Sequence, residues 1–353
     1  MSHRAIVAAW VGSSNSGDEL VFSVLCRLLS DRGVIISAPS LKPKTTTATH
    51  GVETFGHLNR RTLHRQLESS EALVFGGGGI LQDETGIWNL PYHLARIRTA
   101  QKINLPWVGI GLGAAGIKTR WGRRQVASVF TDHEAVSVRD EVSALALEAL
   151  GIKNVTRAAD LAWLTPPPTR KGSGVLAVCL RGPQTSRLRP GSVGPPSLLP
   201  KQKVLNLAEN LDKVGKLNGF KIRFIALDPT FDAPVHRQVA ERMTASTELV
   251  QANFDNLTSN FSDVEIAITM RYHGAIAASL AGAGVVVLPF SPKLNALVDE
   301  LKPVAIAARQ SSDIPEAVAL AMTSRSHLNE VVARLKDRSK RNTIVLDRIF
   351  GER

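Results

Sequence analysis

The sequence contains little cysteine and no long apolar run. Of its 353 residues only Cys26 and Cys179 are cysteines, and both lie in largely apolar segments. This composition argues against a disulfide-stabilised secreted fold, and we expect two buried free thiols in a cytoplasmic protein. No Cys/His spacing typical of a metal site occurs, so we expect no bound metal. No segment reaches the roughly 18 consecutive apolar residues that span a membrane. Any membrane contact is therefore expected to be peripheral, at the inner face.

Acidic residues are also under-represented. The chain has 43 Lys and Arg against 31 Asp and Glu, a formal net charge of +12. It lacks the basic stripe interleaved with aromatic residues that is typical of nucleic-acid surfaces, so we expect no nucleic-acid partner. Anionic small substrates or an anionic lipid surface fit the charge as well. Residues 161–208 contain no carboxylate at all. Their Gly/Pro-rich middle, residues 182–200, predicts either a mobile anion-binding lid or a disordered insertion.

Short apolar runs alternate with amphipathic segments along the chain. This alternation predicts an α/β protein whose parallel sheets are covered by helices on both faces. It stops at residues 165–174, where three prolines precede a Gly/Ser stretch, and then starts again. We therefore predict one domain at residues 1–165, a linker at 166–174 and a second domain at 175–323. The pattern of residues 324–353 predicts a helical tail of mixed charge. In one interpretation this tail packs back on the first domain.

Two glycine-containing segments of the first half follow strand-like runs. The first, GSSNSGDE at residues 12–19, precedes a helical pattern, and its small residues and helix N–H groups favour a bound ligand. It fits neither the P-loop nor the dinucleotide fingerprint. In the functional interpretation Asn15, Asp18 or Glu19 hydrogen-bonds a polar acceptor in a cleft. In the structural alternative, Asp18 caps the helix.

The second segment begins with four consecutive glycines at residues 76–79. Such a run favours close approach of the backbone to a ligand over a tight structural turn, because four glycines cost backbone entropy. Gln82 and Asp83, which follow, are then candidates for binding hydroxyl groups. Arg139 is a further candidate, although pairing with Asp140 or Glu141 is the simpler interpretation. Asp160 is a strand-end carboxylate whose role the sequence leaves open.

The second half contains the residues best suited to an anionic ligand. Arg181 follows a predicted strand and offers a planar fork to a carboxylate or phosphate. In the segment TMRYHGAIAASLAGAGVVVLPFSPK, residues 269–293, a strand ends in a charged turn that precedes a helix. In an extended turn Arg271 and His273 would project to the same side, with Tyr272 opposite. An Arg–His pair at a helix start suits an anionic substrate that also needs a proton moved. Lys293 follows the next strand and is within reach of the same pocket.

Together these motifs resemble the polysaccharide pyruvyltransferase family. The matching pieces occur in the family order along most of the chain: Asn15-x-Gly17-Asp18-Glu19, the four glycines with Gln82-Asp83, Gly109-x-Gly111, Val138-Arg139-Asp140, Asp160, the strand ending in Arg181, Met270-Arg271-Tyr272-His273 and Pro292-Lys293. The segment from Arg271 to Lys293 is the strongest single match. One departure is Phe290-Ser291, where the family often has Tyr-Asp before Pro-Lys.

The resemblance implies a fold and a reaction. The fold would be two Rossmann-like domains facing a cleft, as in GT-B glycosyltransferases. The reaction would transfer the carboxyethylidene unit of phosphoenolpyruvate onto two hydroxyls of a sugar, in a polysaccharide or its lipid-linked precursor, with no cofactor. His273 would be the general acid/base, Arg181 and Arg271 would bind the donor's anionic groups, and Lys293 and Gly274 would complete the donor site. The acceptor would lie on the first half, at Asn15, Asp18, Glu19, Gly77, Gly78, Gln82 and Asp83.

Two other functions remain open at this point. A nucleotide-sugar glycosyltransferase shares the fold class, although it would need an acidic residue for the donor ribose, and no Glu is so placed after the Arg271 helix. A non-enzymatic protein that binds an anionic polymer would also explain the positive charge. The sequence names neither the acceptor sugar nor the oligomeric state.

Overall fold

The computed structural model describes residues 3–351 except residues 85, 132, 134 and 184–195. The first half forms a parallel sheet in the order β3-β2-β1-β4-β5-β6-β7. Its strands are β1 His3–Ala8, β2 Val34–Ser40, β3 Glu53–Gly56, β4 Ala72–Gly78, β5 Trp107–Leu112, β6 Val136–Val138 and β7 Thr156–Arg157. Its helices are α1 Ser16–Ser30, α2 Pro43–His50, α3 Arg60–Glu68, α4 Asn89–Lys102, α5 Arg120–Phe130 and α6 Glu141–Glu148.

The second half repeats this architecture with the strand order β10-β9-β8-β11-β12-β13, again all parallel. Its strands are β8 Val175–Cys179, β9 Lys221–Ala226, β10 Thr247–Gln251, β11 Val264–Thr269, β12 Gly284–Val287 and β13 Ala305–Ala307. Its helices are α7 Lys201–Asn218, α8 Pro229–Ala240, α9 Tyr272–Leu280, α10 Pro292–Glu300 and α11 Ile314–Ser324. Two further helices, α12 Leu328–Lys340 and α13 Thr343–Phe350, end the chain.

Each sheet has a topological switch point, where successive strands are added on opposite sides. In the first sheet it lies between β1 and β4, and in the second between β8 and β11. Open α/β sheets bind ligands beside such points, at the carboxyl ends of the strands. The segments that follow these four strands contain most of the candidate residues of both halves, and Arg139 and Lys293 follow the neighbouring strands β6 and β12, so the topology brings them to one region.

The inner strands are buried because helices cover both faces of each sheet. Strand β4 has no exposed residue, and helix α9, which is rich in alanine, is buried along its whole length. One apolar cluster is continuous across the two halves and includes Val21, Leu161, Trp163 and Ile276. Both cysteines are free and buried, which confirms that prediction. Among the described residues, the helices are all too short or too polar to cross a bilayer.

The two terminal helices return to the first sheet. Asn342 donates from Nδ2 to the carbonyl of Ala159 at 2.9 Å and accepts from the Ser137 hydroxyl at 2.7 Å. One turn earlier, the Ser339 hydroxyl donates to the carbonyl of Asp160 at 2.9 Å. All these groups are buried, so the tail contributes to the packing of the segment that leads out of the first sheet.

Candidate active site

A cavity of about 410 Å³ lies between the two halves, at the carboxyl ends of the switch-point strands. Both halves supply polar side chains to it. Those from the first half include Ser14, Asn15, Asp18, Gln82, Glu84 and Arg139, and those from the second include Arg181, Asp228, Arg271, Tyr272, His273 and Lys293. Cations outnumber carboxylates along this lining, which suits an anionic ligand.

The structure brings together most, but not all, of the residues that the sequence indicated. The cavity is lined by Asn15, Asp18, Gln82, Arg181, Arg271, His273 and Lys293, and it is not lined by Glu19, Gly77, Gly78, Asp83 or Gly274. In this second group, the two carboxylates form hydrogen bonds within the protein, and the three glycines pack closely against neighbouring segments.

Glu19 and Asp83 hold loops in place. Glu19 accepts hydrogen bonds from the backbone N–H of Gly12 at 2.7 Å and from His50 Nε2 at 2.8 Å, so it fixes the turn after β1. Asp83 accepts from the backbone N–H groups of Lys118 at 2.8 Å and Thr119 at 3.0 Å, at the start of α5. Both carboxylates therefore have internal donors and lie outside the cavity lining, and their expected contact with the acceptor stays a prediction.

The glycines at 76–78 serve packing within the first domain. They belong to β4 rather than to a turn, and all three have positive φ. A Cβ at Gly76 would lie 2.4 Å from the Ile110 carbonyl, and one at Gly77 would lie 2.6 Å from Val21 Cγ1. Only Gly78 faces a cavity residue, since its Cβ would lie 3.6 Å from Asp18 Oδ1. Gly76 thus allows close approach of β5, and Gly77 allows close approach of α1, while neither Gly77 nor Gly78 lines the cavity.

Gly274 is likewise a packing residue in the first turn of α9. A Cβ there would lie 2.8 Å from Thr269 Oγ1 and 3.6 Å from Cys179 Sγ. The helix therefore starts close to the ends of β8 and β11. The structure does not bring Gly274 to the donor site that the resemblance implied.

Arg271 is buried against a carboxylate that the sequence analysis missed. Its Nε lies 3.0 Å from both oxygens of Asp232, and its Nη2 also bonds Oδ1. Asp232 is fully buried and also accepts from the backbone N–H groups of Leu227 at 3.1 Å and Asp228 at 3.0 Å. Although burial opposes the charge, Asp232 outweighs it and raises the pKa of Arg271. The guanidinium is therefore held in one orientation, with two of its three nitrogens engaged.

His273 lies at the contact between the two halves. The segment is already helical at Tyr272, so the alternation expected of an extended turn is wrong, and Arg271, Tyr272 and His273 all line the cavity. His273 Nε2 is buried, has no hydrogen-bond partner in the described residues and lies 3.6 Å from Asp160 Oδ1. On its other side a Cβ at Gly17 would lie only 2.2 Å from Nδ1. Only glycine at residue 17 leaves room for the imidazole in this position.

Asp160 and Arg139 support this region from the first domain. Arg139 Nη1 lies 3.4 Å from Asp160 Oδ2, and its Nε lies 3.3 Å from Asp140, one of the two partners proposed from the sequence. The Arg139 guanidinium also stacks over the Tyr272 ring, 4.2 Å from its centroid. Burial alone would raise the pKa of Asp160, but His273 and Arg139 reverse this and lower it. Asp160 therefore places a carboxylate beside the imidazole of His273.

Asp18 and Lys293 have opposite pKa shifts with the same main cause. Burial raises the pKa of Asp18, while His273 and Lys293 oppose the shift. Burial, together with the nearby charges of Arg181 and Arg139, lowers the pKa of Lys293 to about 7. In both groups burial thus favours the neutral form. Asn15, and not Asp18, caps α1, because its Oδ1 accepts from Gly17 N at 3.1 Å while its Nδ2 donates to Asp18 at 2.7 Å.

The two halves are joined at the mouth of the cavity by hydrogen bonds. The Ser14 hydroxyl donates to Asp228 Oδ1 at 2.5 Å, and Ser16 N donates to the Leu227 carbonyl at 2.8 Å. Asp228 and Asp232 were not identified from the sequence. The available signal was the strand end Leu227-Asp228-Pro229, which has the same pattern as the other strand-end candidates.

Arg181 lies at the rim of the cavity. Its guanidinium carbon is 5.4 Å from the centre of the Phe290 ring. Phe290 belongs to the Phe290-Ser291 pair, where the chain departs from the family pattern. Residues 184–195 of the basic loop at 182–200, for which we expected a lid or a disordered insertion, lie outside the described residues.

Comparison with known proteins identifies a family and a fold. A family model described as polysaccharide pyruvyl transferase matches residues 15–292. No match was found among curated proteins.

Similar solved structures include Anabaena Alr3699/HepE in complex with UDP-glucose, with a TM-score of 0.66, 8% identity and coverage of 99% of this chain and 100% of that one. UDP-GlcNAc 2-epimerase from Neisseria meningitidis has a TM-score of 0.62 and 9% identity, with 100% of each chain covered. A glycosyltransferase from Rickettsia africae ESF-5 has a TM-score of 0.62 and 10% identity, also with 100% of each chain covered. These likenesses show the fold alone and confirm the GT-B-like arrangement of two α/β domains.

Proposed function

The chain belongs to the polysaccharide pyruvyl transferase family and is therefore a transferase enzyme, and we propose that its donor is phosphoenolpyruvate and its product a pyruvate ketal. The acceptor is a sugar of a polysaccharide or of its lipid-linked precursor, reached in the cytoplasm. The observation that carries the proposal is the cavity itself. In it Arg181, Arg271 and Lys293 of one domain face Asp18 of the other, with His273 between them.

The cations bind the donor's two anionic groups. Arg271 has Nη1 left for this purpose, since Asp232 engages Nε and Nη2. Arg181 offers a planar fork, which suits a carboxylate or a phosphate. Lys293 contributes a point charge from the start of α10. Because the pKa of Lys293 is about 7, a bound anion beside the side chain is enough to keep it protonated.

Transfer begins with protonation of the donor. His273 gives a proton to the methylene carbon of the enol, which makes the adjacent carbon electrophilic. A sugar hydroxyl adds to that carbon and loses its proton to a base. Phosphate then leaves, a second hydroxyl adds in its place, and the phosphate takes the second proton. The base returns its proton to His273 through solvent, so the sum is one ketal and one inorganic phosphate, and no redox change occurs.

Asp18 is the base in this scheme. Its carboxyl lies in the first turn of α1, next to Gly17, whose Cα faces the His273 ring. Burial keeps its pKa above that of an ordinary aspartate, which is a favourable property for accepting a proton. Asp160 acts as a positioning residue, because its carboxylate near Nε2 favours one orientation of the imidazole.

The decisive experiment is phosphate release from phosphoenolpyruvate across a panel of sugars, with the mass gain of the sugar as a second readout. In His273→Ala we expect release to fall by about 10²–10⁴-fold, the usual contribution of a general acid. His64→Ala, which changes an exposed histidine of α3, is the matched control and keeps wild-type rates. Wild-type release in His273→Ala would contradict the assignment.

A thermal-shift assay separates this function from the two alternatives. Phosphoenolpyruvate is expected to raise the melting temperature of the wild-type protein, and UDP is not. Stabilisation by UDP alone would favour a nucleotide-sugar glycosyltransferase. Salt-sensitive binding of an anionic polymer that survives His273→Ala, without any phosphate release, would favour a non-enzymatic binding protein.

A further inference from the structure

An exposed surface next to the cavity combines aromatic and basic side chains. It consists of Ile87 and Trp88 before α4, and Lys118, Arg120, Trp121, Arg123 and Arg124 at the start of α5. We call it the α4–α5 surface. Ile87 is 61% exposed, and the two tryptophans are 46% exposed each. The proposed reaction uses none of these seven residues.

The surface is held together as one structural unit. Asp83, which precedes Trp88, accepts hydrogen bonds from the backbone N–H groups of Lys118 and Thr119, at the start of α5. A Cβ at Gly122 would lie 2.9 Å from Leu90 Cδ1, so the first turns of α4 and α5 are in close contact. The tryptophans therefore lie on neighbouring helix ends and not on separate mobile loops.

Topology fixes which way the surface faces. Helices α4 and α5 follow β4 and β5, so both begin at the edge of the sheet where the strands end. That edge is also the edge of the cavity. Gln82, Glu84 and Gly116, which line the cavity, lie in the same two connections as the α4–α5 surface. A partner bound there would lie beside the acceptor side of the cavity.

The charge around the surface is of one sign. Residues 85–131 contain no Asp or Glu. The adjacent carboxylate, Glu84, is paired with Lys118 at 3.0 Å, which leaves the three arginines of α5 in excess. Exposed tryptophan flanked by Lys and Arg is the pattern of a membrane-interface element, in which the rings enter the headgroup region and the cations bind anionic lipid.

We propose that the α4–α5 surface docks the enzyme on an anionic lipid membrane and turns the cavity toward a membrane-borne acceptor. Ile87 favours lipid over a nucleic acid, because stacking of bases uses aromatic rings and gains nothing from an aliphatic side chain. This proposal rests on the proposed function only in the role that it gives to membrane binding, which is to bring the cavity to its acceptor. Lipid binding is measured without donor or acceptor, so its failure and the failure of the enzymatic proposal are distinguishable.

The test is sedimentation of the full chain with vesicles of phosphatidylcholine, alone or mixed with phosphatidylglycerol. We expect binding to the mixed vesicles only. In Arg123→Glu/Arg124→Glu the partition coefficient should fall at least about 25-fold, since each cation near an anionic surface contributes about fivefold. In Trp88→Ala/Trp121→Ala it should fall at least about fivefold, from the lost apolar area.

The control uses a similar group on the second domain. Lys213, Lys216 and Leu217 are exposed on α7, and Leu217 is 70% exposed. Lys213→Glu/Lys216→Glu makes the same change in net charge, and Leu217→Ala removes an exposed apolar side chain. Both are expected to bind vesicles as the wild-type protein does. Circular dichroism checks that each variant is folded.

A second readout reports insertion directly. Brominated lipids should quench the tryptophan fluorescence of the wild-type protein. In Trp88→Phe/Trp121→Phe the quenching should disappear while binding persists, because phenylalanine still enters the interface. Absence of vesicle binding, equal binding to neutral and anionic vesicles, or equal loss in the α7 control variants would overturn the proposal. So would binding that depends on the arginines but not on the tryptophans, since that is the behaviour of a general polyanion surface.

Discussion

Replacement of Gly17 by alanine tests the contact between the two domains on which the proposed mechanism depends. Gly17 is in the first turn of α1, and its φ is not in the positive range, so alanine is compatible with the backbone. The new Cβ would lie 2.2 Å from His273 Nδ1 and 2.6 Å from Cγ. Either the imidazole or the interdomain contact has to move.

The size of the movement follows from these distances. Ordinary contact of a Cβ begins near 3.4 Å, so the ring must shift by 3.4 − 2.2 = 1.2 Å. A misplacement of about 1 Å in a catalytic group costs about 10²-fold in rate. We therefore expect kcat to fall about 100-fold, which is about 2.7 kcal/mol in the activation barrier. The helix itself gains from alanine by about 0.5–1 kcal/mol, which offsets part of the about 1–3 kcal/mol that the new contact costs in stability.

The assay is the initial rate of phosphate release over a range of phosphoenolpyruvate concentrations, with the acceptor identified in the sugar panel. The donor-induced thermal shift should persist, since Arg181 and Lys293 are unchanged. Gly56→Ala is the matched control, because a Cβ at Gly56 meets nothing within 4 Å. A Gly17→Ala enzyme with kcat within about threefold of the wild type, an effect too small for a catalytic group displaced by about 1 Å, would refute the reasoning about His273.

Three further predictions concern charge and packing. Burial beside Arg181 lowers the pKa of Lys293 to about 7, so the free amine is mostly neutral at pH 8 and donor binding should take up close to one proton there. The uptake should decline as the pH falls through 7 and should vanish only well below it, and calorimetry in buffers of different ionisation enthalpy should detect no uptake in Lys293→Arg. Asp232→Asn removes the charge that pairs with buried Arg271; stability should fall by about 3 kcal/mol in urea unfolding, and KM for the donor should rise. Asn342→Ala leaves buried groups of the first domain unpaired, so unfolding free energy should drop by about 1–3 kcal/mol with kcat unchanged.

The alternation of apolar runs was enough to predict two parallel sheets. Continuous apolar strands such as Ala72–Gly78 and Val264–Thr269 are buried on both faces, so their sequences are nearly uniform and easy to recognise. Two elements at one edge of the first sheet were not predicted. In α3, Arg60–Glu68, only Leu67 is buried, and β3, Glu53–Gly56, has no buried residue. Their sequences contain few apolar residues because they have little to bury.

Strand ends gave most of the residues that line the cavity, for a topological reason. All parallel strands of a sheet end at one edge, so polar residues just after them converge whatever their separation in sequence. Sequence alone could not separate a carboxylate that faces a ligand from one that holds a loop. Asp18 and Glu19 are neighbours, and only the fold shows that Glu19 binds the N–H of Gly12. Asp232 could not be paired with Arg271, since 39 residues separate them.

The opposite pKa shifts of Asp18 and Lys293 have a consequence for the order of events in the proposed mechanism. Both shifts come mainly from burial, and each group moderates the shift of the other. A donor anion beside Lys293 favours its charged form. The charged ammonium then stabilises the Asp18 carboxylate and lowers its pKa, which favours the ionised form of the base once the donor is present. In the proposed mechanism the domain that binds the donor therefore also activates the base on the domain that binds the acceptor. These electrostatic effects favour donor binding before acceptor activation.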